Sequence, residues 1–98
     1  MSNIDPHIQD TLEAFIAFAS TVAQLRHPET GGPWDLVQTH NTLQKHMLEE
    51  AYEAVAEMAM GSDPKDLYEE LGDVLLQVFL HAQLAREAGT FSLMETFI

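Results

Sequence analysis

Apolar residues recur every three or four positions along most of the chain, as they do on one face of an α-helix. Asp5 followed by Pro6 is typical of an N-cap and a first helical position, and the apolar spacing continues to about Arg26. The next eleven residues, HPETGGPWDLV, hold two prolines and two glycines, which end a helix and favour a loop. The pattern therefore predicts a first helix at about 6–26 and a loop at 27–37.

Two longer helices are predicted after this loop. The second spans about residues 39–60 and stops at Gly61, because glycine readily adopts the left-handed conformation that ends helices. Another Asp-Pro pair opens the third helix, at about 64–88, and Gly89 ends it. No segment alternates between apolar and polar residues with the period of two that a strand requires, so we expect no sheet.

Two smaller features lie within and after the third predicted helix. Gly72 costs a helix interior about 1 kcal/mol relative to alanine. We expect a close contact with a neighbouring helix at this position, and the alternative is a direct role in ligand approach. Ser92 with Glu95 three residues later resembles a capping box and predicts a short final helical turn.

The third helix is apolar on nearly all sides, so one neighbouring helix cannot cover it. Two long helices joined by a short turn form an antiparallel hairpin, and a hairpin with two apolar faces needs a second hairpin. We therefore predict an all-α fold, with an antiparallel helical hairpin core that forms a four-helix bundle through homo-oligomerisation. All 98 residues, 1–98, are assigned to one small domain. The apolar positions are Leu67, Leu71, Val74, Leu75, Val78, Phe79 and Ala82 on one face, and Leu76, Leu80 and Leu84 on another.

Composition adds a strong negative charge to this picture. Sixteen acidic and four basic side chains give a formal charge of −12, which repels nucleic-acid backbones and anionic lipid headgroups. We expect no direct binding to duplex nucleic acid and no membrane association. The absence of cysteine suits a reducing compartment, and the N-terminal stretch MSNIDPHIQD does not resemble a signal peptide, so a cytoplasmic location is expected.

Two pairs of carboxylates lie beside core positions. Glu50 and Glu53 are three residues apart on the second helix, so they project from one side of it. Glu70 and Asp73 have the same separation on the third helix, and antiparallel packing would make the two pairs face each other. Like charges about 5 Å apart repel by roughly 3 kcal/mol at an effective dielectric near 20, so a group of four requires neutralisation.

A divalent metal ion would neutralise these carboxylates. Mg²⁺ and Mn²⁺ favour carboxylate oxygens, and Mg²⁺ keeps waters that phosphate oxygens can replace. The same stripe continues with His46 on the second helix and with Gln77 and His81 on the third, so a polar seam is expected between them. The alternative for such spacings is a solvated helix face, which is what we expect for Glu57, Asp66 and Glu69.

From about Leu25 to Phe91 the sequence resembles the MazG family of all-α nucleoside triphosphate pyrophosphohydrolases. The resemblance rests on the stretches LRHPETGGPWD, QTHNTL, MLEEAYE, EELGDVLLQV and HAQLAREAGTF. It implies Mg²⁺-dependent hydrolysis of (deoxy)nucleoside triphosphates to a monophosphate and pyrophosphate, in nucleotide-pool house-cleaning, by a homodimer or homotetramer. The family signature, Glu-Glu-x-x-Glu followed by Glu-x-x-Asp, corresponds to Glu49, Glu50, Glu53, Glu70 and Asp73.

The resemblance also implies roles for individual residues. The Mg²⁺ ligands, with Mn²⁺ as a substitute ion, would be Glu50, Glu53, Glu70 and Asp73. Glu49 would complete the catalytic set with Glu50 and Glu53, as a second-metal ligand or a water-activating base. Lys45 and Arg26 are candidates for phosphate contact. Trp34 would stack on the base, close the pocket or anchor its loop, and His40 would orient the loop or the sugar.

Longer family members often continue with a basic stretch after the position of Ile98, which would supply further phosphate-binding cations. A non-catalytic acidic helical module that binds a basic partner or mimics nucleic acid is the alternative from another functional class. Such a module needs its carboxylates spread over an exposed face, whereas the enzyme needs them gathered around one point.

Overall fold

A computed structural model describes residues 5–61 and 63–98 of the chain. No strand occurs within these ranges, so the all-α prediction is confirmed for them. No helix in the described part of the chain is long and apolar enough to cross a membrane. The helices in these ranges are α1 (Pro6–Leu25), α2 (Pro33–Leu36), α3 (Gln44–Met60) and α4 (Pro64–Ala88), followed by a 3₁₀ helix (Leu93–Phe97).

The ends of the long helices follow the sequence signals. The carboxylates of Asp5 and Asp63 cap α1 and α4 by accepting a hydrogen bond from the backbone N–H two residues later, at 2.7 and 2.8 Å. Gly61 and Gly89 end α3 and α4 in the left-handed conformation, with φ of 63° and 74°. The capping box predicted at Ser92 is confirmed, since the backbone N–H of Ser92 donates a hydrogen bond to Glu95 Oε1 at 2.7 Å.

The start of α3 was predicted five residues too early. Residues 39–43 form a turn in which Thr39 and Thr42 bond reciprocally, each backbone N–H donating to the other's hydroxyl oxygen at 2.8 and 3.1 Å. Threonine side chains offer the backbone an alternative to helical hydrogen bonds. The regular helix therefore begins only at Gln44.

The chain divides into two compact units, Met1–Leu36 and Val37–Ile98. The first contains α1 and the single turn of α2, which the sequence analysis assigned to a loop. The Arg26 guanidinium donates to the backbone carbonyl of Asp35 and so ties the end of α1 to α2. The assignment of all residues to a single domain remains a prediction.

The second unit is built on a hairpin of α3 and α4. The two helices pack against each other, and only three residues separate them in the sequence. The predicted antiparallel hairpin is therefore present. Its most deeply buried large side chains are Leu43, just before α3, and Leu80 on α4. The 3₁₀ helix packs against α4.

Large apolar side chains remain exposed on the hairpin. Leu48, Tyr52 and Val55 lie within about 60° of one another on the side of α3 opposite the buried Ala54, from the 100° step of a helix. The sequence analysis predicted apolar faces on α4 and did not identify this stripe on α3; the oligomeric bundle that would cover exposed apolar residues remains a prediction. On α4 the matching exposed residues are Tyr68, Leu71 and Leu75.

Gly72 does not fulfil the expectation of a close helix contact within the chain. A Cβ atom added there would meet no heavy atom within 4 Å outside its own helical backbone. Gly31 does require the absence of a side chain, because a Cβ would lie 2.4 Å from the backbone oxygen of Leu25.

Candidate metal centre

Three glutamates on the α3–α4 hairpin bring carboxylate oxygens together. Glu50 and Glu53 lie on α3 and Glu70 on α4, and one oxygen of each lies within 4.8 Å of the other two. Glu53 is exposed, and the other two are partly buried. Within residues 5–61 and 63–98 this is the one cluster of three or more His, Cys, Asp or Glu side chains that are this close. We call it the carboxylate cluster.

Glu50 is a partly buried member of the cluster. Its Oε2 is buried and has no hydrogen-bond partner among the described residues. Burial raises the pKa of Glu50, neighbouring carboxylates raise it further, and His46 partly offsets them. The neighbouring carboxylates are Glu53, Asp73 and Glu49.

The pKa of Glu70 is also raised. Desolvation, a side-chain hydrogen bond with Glu53 and the neighbouring negative charges together raise its pKa to about 6. The buried Oε2 of Glu70 has no hydrogen-bond partner among the described residues. A cation bound among these carboxylates would offset the negative charges that raise the pKa of Glu50 and of Glu70.

This donor set fits a hard divalent cation. All of the clustered ligand atoms are carboxylate oxygens, which Mg²⁺, Mn²⁺ and Ca²⁺ prefer over nitrogen or sulfur. The buried oxygens of Glu50 and Glu70 have unused acceptor capacity, which a cation can take up. Three of the four carboxylates predicted to face one another, Glu50, Glu53 and Glu70, are in the cluster, and their role as metal ligands remains a prediction.

Two further carboxylates of the predicted site lie at the edge of the cluster. Asp73 is exposed and is not among the three clustered ligands, although its charge raises the pKa of both Glu50 and Glu70. Glu49 is half-exposed and forms an i,i+4 ion pair with Lys45 at 3.8 Å. The roles assigned to Asp73, Glu49 and Lys45 remain predictions.

Glu57 departs from its expected place on a solvated surface. It is partly buried, and its Oε2 is buried without a hydrogen-bond partner among the described residues. Its position one turn after Glu53 on the interface side of α3 was the signal that could have indicated this burial.

The polar seam continues past the cluster along α4. Gln77, one turn beyond Asp73, is 5% exposed, and its Oε1 has no hydrogen-bond partner among the described residues. His46 on α3 lies close enough to Glu50 to lower the pKa of that carboxyl group. The seam that the sequence predicted thus includes a buried amide beside the carboxylates.

A pair of histidines ends the seam. Nδ1 of His40, in the turn before α3, lies 2.7 Å from Nδ1 of His81 on α4, and the two rings are nearly parallel. One Nδ1 must donate and the other accept, so the contact does not tolerate two fully protonated rings. Burial and the charge of His40 lower the pKa of His81. The two residues are 41 positions apart, and nothing in the sequence pattern indicated this contact.

The remaining predicted substrate contacts, Arg26 and Trp34, lie in the first unit. Arg26 bonds the carbonyl of Asp35, as described above, and Trp34 lies in α2 with about half of its surface exposed. Their contacts with a substrate remain predictions.

Comparison with known sequences connects this hairpin with a described family. The MazG nucleotide pyrophosphohydrolase domain matches residues 38–98, which include the whole hairpin and the carboxylate cluster. The chain belongs to the MazG family. The resemblance stated from its motifs is therefore confirmed.

Individual relatives support the same assignment. The nucleoside triphosphate pyrophosphohydrolase/pyrophosphatase MazG of Thermotoga maritima is 46% identical over 79 residues, which are 81% of this chain and 30% of that protein. The nucleoside triphosphate pyrophosphohydrolase of Escherichia coli K12 is 48% identical over 68 residues, 69% of this chain and 26% of that protein. The uncharacterized protein YabN of Bacillus subtilis is 47% identical over 79 residues, 81% of this chain and 16% of that protein. The matched stretch of this MazG chain thus spans less than a third of each relative.

Proposed function

We propose that this MazG chain hydrolyses (deoxy)nucleoside triphosphates to a nucleoside monophosphate and pyrophosphate, with Mg²⁺ as its cofactor. The observation that carries the proposal is the carboxylate cluster in a chain of this family, with one oxygen from each of three glutamates within 4.8 Å of the other two. The names of the Thermotoga and Escherichia relatives support the same reaction.

The proposal assigns the metal to residues already close together. Glu50, Glu53 and Glu70 would hold Mg²⁺, or Mn²⁺ as a substitute, and Asp73 would complete the ligand set. When bound, the ion supplies positive charge that offsets the phosphate oxygens and polarises the phosphorus atom. The chain carries a net charge of −12, so it needs this positive charge to bind an anionic substrate at the cluster.

The chain's other residues would bind and orient the substrate and the attacking water. Glu49 is half-exposed beside the cluster, and its carboxylate would accept a proton from the water or hold a second ion. Lys45 and Arg26 would contact phosphate oxygens, and Trp34 would stack on the base. His40 would orient the sugar or the turn before α3.

The proposed biological role is nucleotide-pool house-cleaning in the cytoplasm, carried out by a homodimer or homotetramer. The exposed apolar face of the hairpin supports assembly, because contiguous exposed apolar patches mark interaction surfaces.

The experiment is a panel of standard and modified nucleoside triphosphates incubated with the protein and Mg²⁺, with the products separated and identified. We expect equal amounts of monophosphate and pyrophosphate, and no activity when the metal is chelated. Formation of a diphosphate and inorganic phosphate, or no turnover of any nucleotide, would reject the proposed reaction.

Substitutions test the site directly. We expect Glu53→Gln and Asp73→Asn each to lower the Mg²⁺-dependent turnover by about 100-fold or more, since each removes a charge from the proposed ligand set. Glu69→Gln is the matched control, because Glu69 is an exposed partner of Lys65 at 3.9 Å outside the cluster. Full turnover in both site variants would reject the metal assignment. An acidic interaction module would also show no thermal stabilisation by Mg²⁺.

A further inference from the structure

Gln77 lies on α4 between the carboxylate cluster and the His40–His81 pair. At 100° and 1.5 Å per residue, it lies within about 20° of Glu70 around the helix axis and about 6 Å beyond Asp73 along it. It therefore belongs to the side of α4 that carries the cluster. Its side chain is 5% exposed, so it is one of the most buried polar groups among the described residues.

The amide oxygen of Gln77 lacks a donor. Oε1 is buried and has no hydrogen-bond partner within the described chain, although nearly all buried polar atoms in native proteins are paired. A carbonyl oxygen only accepts hydrogen bonds, and so do ionised phosphate oxygens. An ionised phosphate of the substrate therefore cannot pair with Oε1, whereas a group that carries an O–H or N–H can.

We infer that Gln77 is a specificity-determining residue whose Oε1 accepts a hydrogen bond from a ribose hydroxyl of the bound nucleoside triphosphate. This inference rests on the proposed function. The proposed hydrolysis requires the α-phosphate to lie at the carboxylate cluster, and the ribose is bonded directly to that phosphate. Gln77 lies a single helical turn beyond Asp73, a distance that suits the ribose, whereas the base lies farther from the α-phosphate. The assignment also fixes the orientation of the bound nucleotide along the polar seam. The nucleoside then lies toward His40 and His81, and the released pyrophosphate lies on the opposite side of the cluster.

The first arm of the test changes only the ligand. Steady-state rates are measured with wild-type protein and Mg²⁺ for four triphosphates of one base: the ribonucleotide and its 2′-deoxy, 3′-deoxy and 2′,3′-dideoxy forms. We expect kcat/KM for the dideoxy form to be about tenfold or more below that of the best substrate, because a buried acceptor is left unpaired. Equal kcat/KM for all four nucleotides overturns the inference, and this arm does not depend on the folding of any variant.

The second arm removes the acceptor. Gln77→Met keeps a similar side-chain volume, and Gln83→Met is the matched control on the same helix, where Gln83 bonds Glu87 at 3.2 Å. We expect the discrimination among the four nucleotides to collapse in Gln77→Met and to persist in Gln83→Met, with folding checked by circular dichroism. A uniform loss for all four nucleotides, as expected if the amide orients a metal-bound water, overturns the inference, and so does unchanged discrimination.

The two failures are distinguishable. If wild-type protein releases no pyrophosphate from any nucleotide, the proposed function is rejected and the assignment of Gln77 falls with it. If wild-type protein turns nucleotides over without regard to their ribose hydroxyls, only the assignment of Gln77 is rejected.

Discussion

At the scale of single residues, the carboxylate cluster is a concentration of negative charge that raises the pKa of Glu50 and of Glu70. Lys45 is paired with Glu49 on the exposed side of α3, and His46 only partly offsets the effect of the carboxylates on Glu50. Glu70 responds by keeping its proton to a higher pH than an ordinary glutamate. In the absence of metal, the cluster is therefore a source of instability that depends on pH.

Glu70 sets the sign of that dependence. Its pKa is about 6 in the folded protein against an ordinary value of 4.5, so between these values the folded state binds more protons than the unfolded state. The free energy of unfolding should then fall as pH rises from about 4.5 to about 6, and this contribution should level off above pH 6. Urea unfolding of metal-free protein across this range measures the effect.

The substitution Glu70→Gln isolates this contribution from other titrating groups. We expect the variant to lose the decline between pH 4.5 and 6, whereas Glu69→Gln should retain it, because Glu69 pairs with Lys65 instead. An identical pH slope in wild type and Glu70→Gln would contradict the assignment of the raised pKa to Glu70.

At the scale of secondary-structure elements, glycine has opposite roles at the ends and in the middle of helices. Gly61 and Gly89 have positive φ, which disfavours residues with a Cβ, while Gly72 lies in the interior of α4 with open space around it. We expect Gly61→Ala and Gly89→Ala each to lower the free energy of unfolding by about 1 kcal/mol. Gly72→Ala should raise it by about 0.5–1 kcal/mol.

Chemical denaturation of the three variants under one set of conditions measures these changes. If Gly72→Ala proves destabilising, the open space seen beside it in one chain is filled in solution, and the sequence-based expectation of a close helix contact would be restored through a second copy.

The elements show where sequence reasoning succeeds. Helix ends at Asp5, Gly61 and Gly89 were predictable because capping is a local interaction between residues a few positions apart. The gathering of Glu50, Glu53 and Glu70 was predictable because a short connection forces α3 and α4 to be antiparallel.

The misses have equally physical causes. The reciprocal bonds of Thr39 and Thr42 outcompeted helix formation, although the apolar pattern of this stretch favoured a helix. The contact of His40 with His81 joins positions that no local pattern relates. Helical periodicity places Asp73 and Glu49 on a helix face. It does not assign them roles as metal ligands, because those roles depend on a bound ion and a bound substrate.

At the scale of the whole molecule, the hairpin leaves a stripe of large apolar side chains exposed on α3. Leu48 and Tyr52 are 73% and 76% exposed, and Val55 continues the stripe. We expect wild-type protein to sediment as a dimer or tetramer, because covering this surface removes apolar area from water.

Analytical ultracentrifugation of Leu48→Lys combined with Tyr52→Lys tests this expectation. The double variant should sediment as a monomer, whereas Met94→Lys in the 3₁₀ helix makes the same kind of exposed apolar-to-charged change away from the stripe and should leave the assembly intact. Monomeric wild-type protein would contradict the predicted bundle.

The most direct test of the central claim is a calorimetric titration of Mg²⁺ into metal-free protein near pH 6, in two buffers of different ionisation enthalpy. If the carboxylate cluster holds the ion, binding should be saturable and should be lost in Glu50→Gln but kept in Glu69→Gln. It should also release protons, because the pKa of Glu70 is raised to about 6 and this carboxyl is partly protonated at that pH. No saturable binding by the wild type, or the same affinity in Glu50→Gln, would contradict the account.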